Sequence, residues 1–108
     1  MKIAIATDDR IHVSKHTGRA KEFVIITKED DKVIDQFYIE NKQESEHHHD
    51  HGHGHSHLDL VKELKENGVQ LLLVHFLGKH FKENVISENL DFKIIKELTI
   101  EELLKQKF

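Results

Sequence analysis

Eleven of the 108 residues are histidine and none is cysteine, so a metal held by this chain would be held by nitrogen and oxygen rather than thiolate. The densest run is His47-His48-His49-Asp50-His51-Gly52-His53-Gly54-His55-Ser56-His57, with seven imidazoles in eleven positions. Neutral imidazole suits zinc, copper, nickel and iron, and the His-Gly alternation leaves a backbone free to bring several rings onto one ion. His47, His48, His49, Asp50, His51, His53, His55 and His57 are therefore candidate ligands for a divalent ion such as zinc, nickel or cobalt. Interchangeable ligands of this kind describe a metal buffer or sensor, since a catalytic zinc site needs three fixed ligands with oriented partners. The competing reading is a solvated loop. An affinity tag is a poorer description, because the tract is internal and interrupted by Asp, Gly and Ser.

A second constellation is Val13-Ser14-Lys15-His16-Thr17-Gly18-Arg19-Ala20. It places a hydroxyl, an imidazole, a glycine that permits close backbone approach and a guanidinium within six positions. Such a set can bind an anion or a metal cluster through Arg19 and backbone N–H groups, with His16 as a ligand. A polar loop in which Arg19 bridges to a carboxylate fits the same residues. Ser14 and His16 do not read as a nucleophile and its base, being two residues apart with no orienting carboxylate identifiable.

These residues need a scaffold, and the composition supplies one. Sixteen Lys plus Arg stand against twenty Asp plus Glu, for a net charge of −4, and 37% of residues are hydrophobic. That suits one domain over 1–108, because domains of ~100 residues remove well over half their unfolded surface from water. The acidic balance, with only two arginines, gives no electrostatic reason to expect nucleic acid. The apolar run at 1–7 meets Asp8-Asp9 too soon for a signal peptide or a membrane span, so a cytoplasmic protein without a membrane partner is expected.

Apolar runs and turn signals lay out the elements. Strands are expected over 2–7, 23–27 and 33–39, the last two forming a hairpin through Glu29-Asp30-Asp31, with the third strand the more exposed and able to pair at its edge with a second copy. The histidine tract must be a surface loop. Ser56 and Asp59 give an S-x-x-D signal for a helix that Asn67-Gly68 closes. Leu71-Leu72-Leu73-Val74 reads as a strand covered on both faces. Gly78 opens a second helix in which Phe81, Val85 and Ile86 share a face, 92–95 is a last strand, and Thr99 with Glu102 caps a third helix. A hairpin followed by crossovers implies an α/β fold with a mixed five-stranded sheet and flanking helices. Ligands in such sheets sit beyond the carboxyl ends of the strands, here at loops 8–21 and 75–80, with the histidine tract joining them if the third strand is antiparallel to its hairpin partner.

Ser-x-His-x-Gly-Arg-Ala after an N-terminal Lys-Ile-Ala-Ile-Ala strand resembles the dinitrogenase iron–molybdenum cofactor-binding family of nitrogenase accessory factor-like proteins. Gly68-Val69, the 71–74 strand, Gly78 and the Asp91-Phe92-Lys93-Ile94-Ile95 segment follow that family's order. The resemblance implies a three-layer ribonuclease H-like fold and a non-catalytic carrier of an iron–sulfur or iron–molybdenum type cofactor or its precursor. It places cofactor-binding residues at Ser14, His16, Gly18 and Arg19, with His75, Gly78 and His80 on the rim, and a carrier implies donor and acceptor proteins. Thr17 stands where the family commonly has Phe, His75 where a glycine is usual, and Lys79, His80 and Phe81 where proline and small residues are usual. His75 and His80 would add nitrogen ligands if they face the pocket and would obstruct a large cluster if they do not. His75, at the end of a buried strand, reads equally as a hydrogen-bonded structural residue. The ribonuclease H-like sheet also suggests a two-metal nuclease through Asp8 and Asp9, but that chemistry needs more converging carboxylates and a basic surface, and capping of the next turn explains both residues.

Overall fold

A computed structural model of the chain describes residues 1–41 and 56–106. The elements are β1 (Lys2–Thr7), a 3-10 turn (Thr17–Arg19), β2 (Glu22–Glu29), β3 (Lys32–Glu40), α1 (Ser56–Glu66), β4 (Leu71–Val74), α2 (Lys79–Ser87), β5 (Asp91–Ile94) and α3 (Ile100–Leu104). Among the described residues no helix is long and apolar enough to cross a membrane.

Five strands form one sheet in the order β3-β2-β1-β4-β5. β2 is antiparallel to both β1 and β3, while β4 is parallel to β1 and β5, so the expected mixed five-stranded sheet is observed. Two-residue alternation sorts the apolar side chains between the faces. Ala4, Ala6, Phe23, Ile25, Leu72 and Val74 meet α1 and α2 through Leu60, Val61, Leu64, Phe81 and Val85. Ile3, Ile5, Val24, Ile26 and Leu73 meet α3 on the other face through Ile100 and Leu103. Three layers result, and each fully buried Leu, Ile or Phe contributes about 1.5–3 kcal/mol of transfer free energy to their cohesion.

α1 ends as Gly68 predicts. Gly68 takes φ +84°, its N–H donates to Lys65 O at 2.9 Å, and Val69 N–H donates to Leu64 O at 3.1 Å, which is a Schellman closure. α2 closes in the same way through Asn89, at φ +59°, with Asn89 N–H on Ile86 O and Leu90 N–H on Val85 O, both at 3.0 Å. α3 carries the expected capping box between Thr99 and Glu102.

One expectation fails. Phe81 and Val85 are buried, but Ile86 is 57% exposed, because a step of five positions turns the side chain far from the face that a step of four preserves. The third strand is the exposed edge that its mixed sequence suggested: from Lys32 to Phe37 it reaches no deeper than partial burial.

Candidate functional site

Thr7 pairs with Glu22 and Glu22 with Glu40, so the end of β1, the start of β2 and the end of β3 lie together at one end of the sheet. The 8–21 loop, the 75–78 connection and Asn41 all stand there. The third strand is thus antiparallel to its hairpin partner, and Asn41 after it stands at the same end as the other two loops. The expected ligands His47, His48, His49, Asp50, His51, His53 and His55 lie outside the described residues, and His57 lies in the first turn of α1.

The 8–21 loop is pinned by side chains acting on backbone. Thr7 Oγ1 donates to His12 O at 2.7 Å and accepts Arg10 N–H at 2.9 Å. Asp9 Oδ1 accepts from Ile11 N–H at 2.8 Å and His12 N–H at 2.7 Å, an Asx turn that leaves Arg10 at φ +68°. That left-handed backbone costs on the order of 1 kcal/mol. Arg10 is held in place nonetheless, with Nε 2.6 Å from Glu22 Oε1, Nη2 3.0 Å from Oε2, and the guanidinium 4.0 Å above the Tyr38 ring. Asp8 Oδ1 accepts Lys21 N–H at 2.9 Å. Asp9 therefore caps the turn that follows it, as expected, whereas Asp8 does not cap that turn and instead serves loop backbone thirteen positions away at Lys21.

Further along, Ser14 Oγ bonds the backbone of His16 and not its ring: it accepts His16 N–H at 3.2 Å and donates to His16 O at 3.3 Å. Thr17, buried in the 3-10 turn, donates Oγ1–H to Phe76 O at 2.9 Å and so ties the 8–21 loop to the β4–α2 connection. Asn41, also buried, donates Nδ2–H to Gly18 O at 3.1 Å and to Ala20 O at 2.8 Å, while its backbone N–H reaches Lys21 O at 2.9 Å.

Two clefts open over this framework. The first, about 340 Å³, is lined by Asp8, Asp9, His12, Ser14, His16 and Arg19, with Val13 and Lys15 completing it. The second, about 370 Å³, lies between the 3-10 turn and the start of α2 and is lined by His16, Gly18, Arg19, Phe76, Gly78 and His80, with Thr17, Lys79 and Phe81. His16 and Arg19 belong to both and form the ridge between them. Both side chains are exposed, standing on the buried Ser14 and Thr17. Of the seven expected cofactor residues, Ser14, His16, Gly18, Arg19, Gly78 and His80 thus meet around one ridge. His80 is turned to solvent, with Nδ1 3.7 Å from Glu83 Oε1. His75 stands apart: it lines neither cleft, and its Nε2 lies 2.5 Å from Glu97 O, tying the end of β4 to the segment before α3.

Charge at the site is set by these contacts. Backbone and ring donors of His12 hold the Asp9 carboxyl far below the ordinary carboxylate range, and Arg10 holds Glu22 below its own. Glu22 in turn raises Arg10. Around the second cleft, Arg19 and Lys79 add positive charge beside the imidazoles of His16 and His80. Among the described residues no three His, Asp or Glu side chains converge as a complete metal site. What the second cleft offers a ligand is the imidazoles of His16 and His80, the positive charge of Arg19 and Lys79, and an aromatic wall from Phe76 and Phe81.

Sequence reasoning missed three contributors. His12 follows Asp9 in a D-x-x-H spacing that puts an imidazole in reach of the capping carboxylate. Asn41 and the Thr17–Phe76 link carry no local signal, since their partners are distant in sequence.

A sequence model of the family described as Dinitrogenase iron-molybdenum cofactor matches residues 1–107. No curated protein matches the chain. Among solved structures, PH0822 superposes with a TM-score of 0.75 at 24% identity, over 97% of this chain and 87% of that one. The apo form of the orange protein from Desulfovibrio gigas gives 0.74 at 17% identity, over 95% and 82%. The Thermotoga protein TM1290 gives 0.69 at 22% identity, over 94% and 81%. At these identities the likeness is one of fold.

Proposed function

The chain belongs to the dinitrogenase iron–molybdenum cofactor family, and from that premise we propose that it is a non-catalytic carrier of an iron–sulfur or iron–molybdenum type cluster or its precursor. The observation that carries this reading is the ridge of His16 and Arg19 between two clefts at the carboxyl end of the sheet. The cluster is cargo. His16 offers a nitrogen to a metal edge, Arg19 and Lys79 offset the negative charge of sulfide, and Gly18 and Gly78 keep the walls low. Imidazole and charge, without thiolate, give a hold that can be released to an acceptor protein, as a carrier requires.

Protein isolated without oxygen from its own host is expected to contain iron with acid-labile sulfide, with or without molybdenum. His16→Ala should lower cluster retention about tenfold or more, equivalent to ~1.4 kcal/mol, while leaving the melting temperature unchanged. Unchanged retention would remove His16 from the site. A second reading, a zinc, nickel or cobalt buffer formed by the 47–57 tract, is supported by its seven histidines and by the place of Asn41, the last described residue before the tract, at the same sheet end. Zinc, nickel or cobalt without sulfide, lost when the tract histidines are replaced, would favour it.

A further inference from the structure

Among the described residues β5 is the last strand of the sheet, with β4 on one side and no strand on the other. Ile95 N–H donates to Val74 O at 2.8 Å, so alternate residues of β5 turn their backbone groups toward β4, and Phe92 and Ile94 turn theirs outward. On one face of the sheet the side chains along this edge are apolar. Ile94 is 65% exposed, Phe92 is half-buried, and Lys82 Nζ stands 5.9 Å over the Phe92 ring. Ile86, also exposed, follows Lys82 by one turn and so shares the side of α2 that Lys82 turns toward β5. On the other face the exposed residues are Asp91 and Lys93, which pair in register with Leu71 and Leu73.

We infer that β5 is the contact strand of a homodimer, pairing antiparallel with β5 of a second copy about a twofold axis at Phe92. Charge chooses both the occupant and the register. Outward backbone groups must face outward ones, so the axis can pass at Asp91, Phe92 or Lys93. An axis at Asp91 or at Lys93 sets like charges face to face. An axis at Phe92 sets Asp91 opposite Lys93 of the second copy, twice over, at the non-hydrogen-bonded positions where side chains approach most closely. Phe92 then exchanges both backbone hydrogen bonds with its counterpart. On the other face Ile86, Phe92 and Ile94 meet their equivalents, so an isoleucine that the fold leaves in water gains apolar neighbours. The pair closes on itself, because the edge that remains is β3, whose register is broken between Thr27 and Lys28. Antiparallel pairing also sends the two cleft-bearing ends of the sheet in opposite directions, so the contact leaves both open and stands apart from the carrier reading.

The test is sedimentation velocity on the full chain from micromolar to millimolar concentration, with EDTA present so that the tract histidines cannot bridge copies through a metal. A monomer–dimer equilibrium is expected. Lys93→Glu alone, or Asp91→Lys alone, sets like charges opposite each other twice and should weaken the dimer about tenfold or more. Asp91→Lys together with Lys93→Glu exchanges the two charges and should restore it. Val33→Lys, on the β3 edge, should leave the dimer as it is. Both charged positions are exposed, so the melting temperature of dilute monomer should stay close to the parent's in every variant. A chain that is monomeric throughout overturns the inference. So does a dimer that is indifferent to the single charge changes, one that the double exchange does not restore, or one that Val33→Lys dissolves. None of these outcomes bears on the carrier reading, which iron and sulfide content decides.

Discussion

At the end of the sheet where β1 begins, each helix C-terminus meets a lysine. Lys2 Nζ donates to Asn67 O after α1 at 3.1 Å, Lys65 Nζ to Asn89 O after α2 at 3.5 Å, and Lys28 Nζ to Leu104 O at 2.8 Å and Gln106 O at 2.6 Å after α3. Ammonium groups there satisfy carbonyls that the helices leave unpaired and oppose the negative end of each helix dipole. At the opposite end the roles of side chain and backbone differ. Asp8, Asp9, Thr17 and Asn41 are spent on holding loop backbone, and what they leave exposed are the imidazoles of His12 and His16 and the guanidinium of Arg19. One end uses its charges to finish the fold; the other uses neutral and acidic groups, with the Arg10–Glu22 pair, to fix loops so that His12, His16 and Arg19 stay exposed. Placing the chemistry on loops costs little stability when the loops are tied by side chains and not by a packed core.

The largest effect is expected at the first end. Lys28 is buried, and Lys28→Met strips two carbonyls of their ammonium donor, so a loss of about 3 kcal/mol is expected by chemical denaturation. Cluster or zinc binding at the other end should stay as in the parent chain. A binding defect would show that the two ends are not separable.

Thr17→Val is next. It keeps shape but removes the hydroxyl that ties the 3-10 turn to Phe76 O, for an expected loss of about 1 kcal/mol. Because that bond joins two residues that line the second cleft from opposite sides, cargo retention should fall several-fold in the same variant. A loss of stability with retention unchanged would make the tie purely structural.

Glu22→Gln gives the smallest effect, and its sign depends on pH. Arg10 holds the Glu22 carboxyl below its ordinary value of 4.5. The pair's contribution is therefore complete above that value and is lost as pH falls through the lowered one. The melting temperature of Glu22→Gln should lie below the parent's at pH 7, and the gap should close as pH falls through the lowered value. A gap that persists in acid would mean that the Arg10–Glu22 pair is not what holds the 8–21 loop.

What the sequence disclosed and what it withheld divide along the same physical line. β1, β2 and β4 were legible because residues such as Ile3, Ile25 and Leu72 are apolar in runs that two-residue alternation sorts onto two covered faces. The Gly68 stop and the Thr99–Glu102 box were legible because each is complete within a few residues. Ile86 was misplaced because its hydrophobicity was weighed without the turn of about 100° per residue that carries it well away from the face of Phe81 and Val85. Of the site, the Ser14–Arg19 segment could be read because its residue types are clustered in sequence. The bond between Thr17 and Phe76 spans 59 positions and that between Asn41 and Ala20 spans 21. The contact of His75 with Glu97 spans 22. Nothing local announces such partners, and folding alone brings them together.

The hairpin register shifts between Thr27 and Lys28: Thr27 faces Asp35 and Lys28 faces Val33, which leaves Ile34 as an extra residue on β3. This β-bulge sits on an edge strand whose Val33 and Ile34 are both exposed. A bulge breaks the even spacing of N–H and C=O groups that an incoming strand would have to match, and Lys32 and Asp35 place opposite charges on either side of the apolar pair. The consequence is colloidal. The stretch of surface most prone to recruit copies into extended sheets has an interrupted template and charged gatekeepers, which favours solubility when the protein is concentrated.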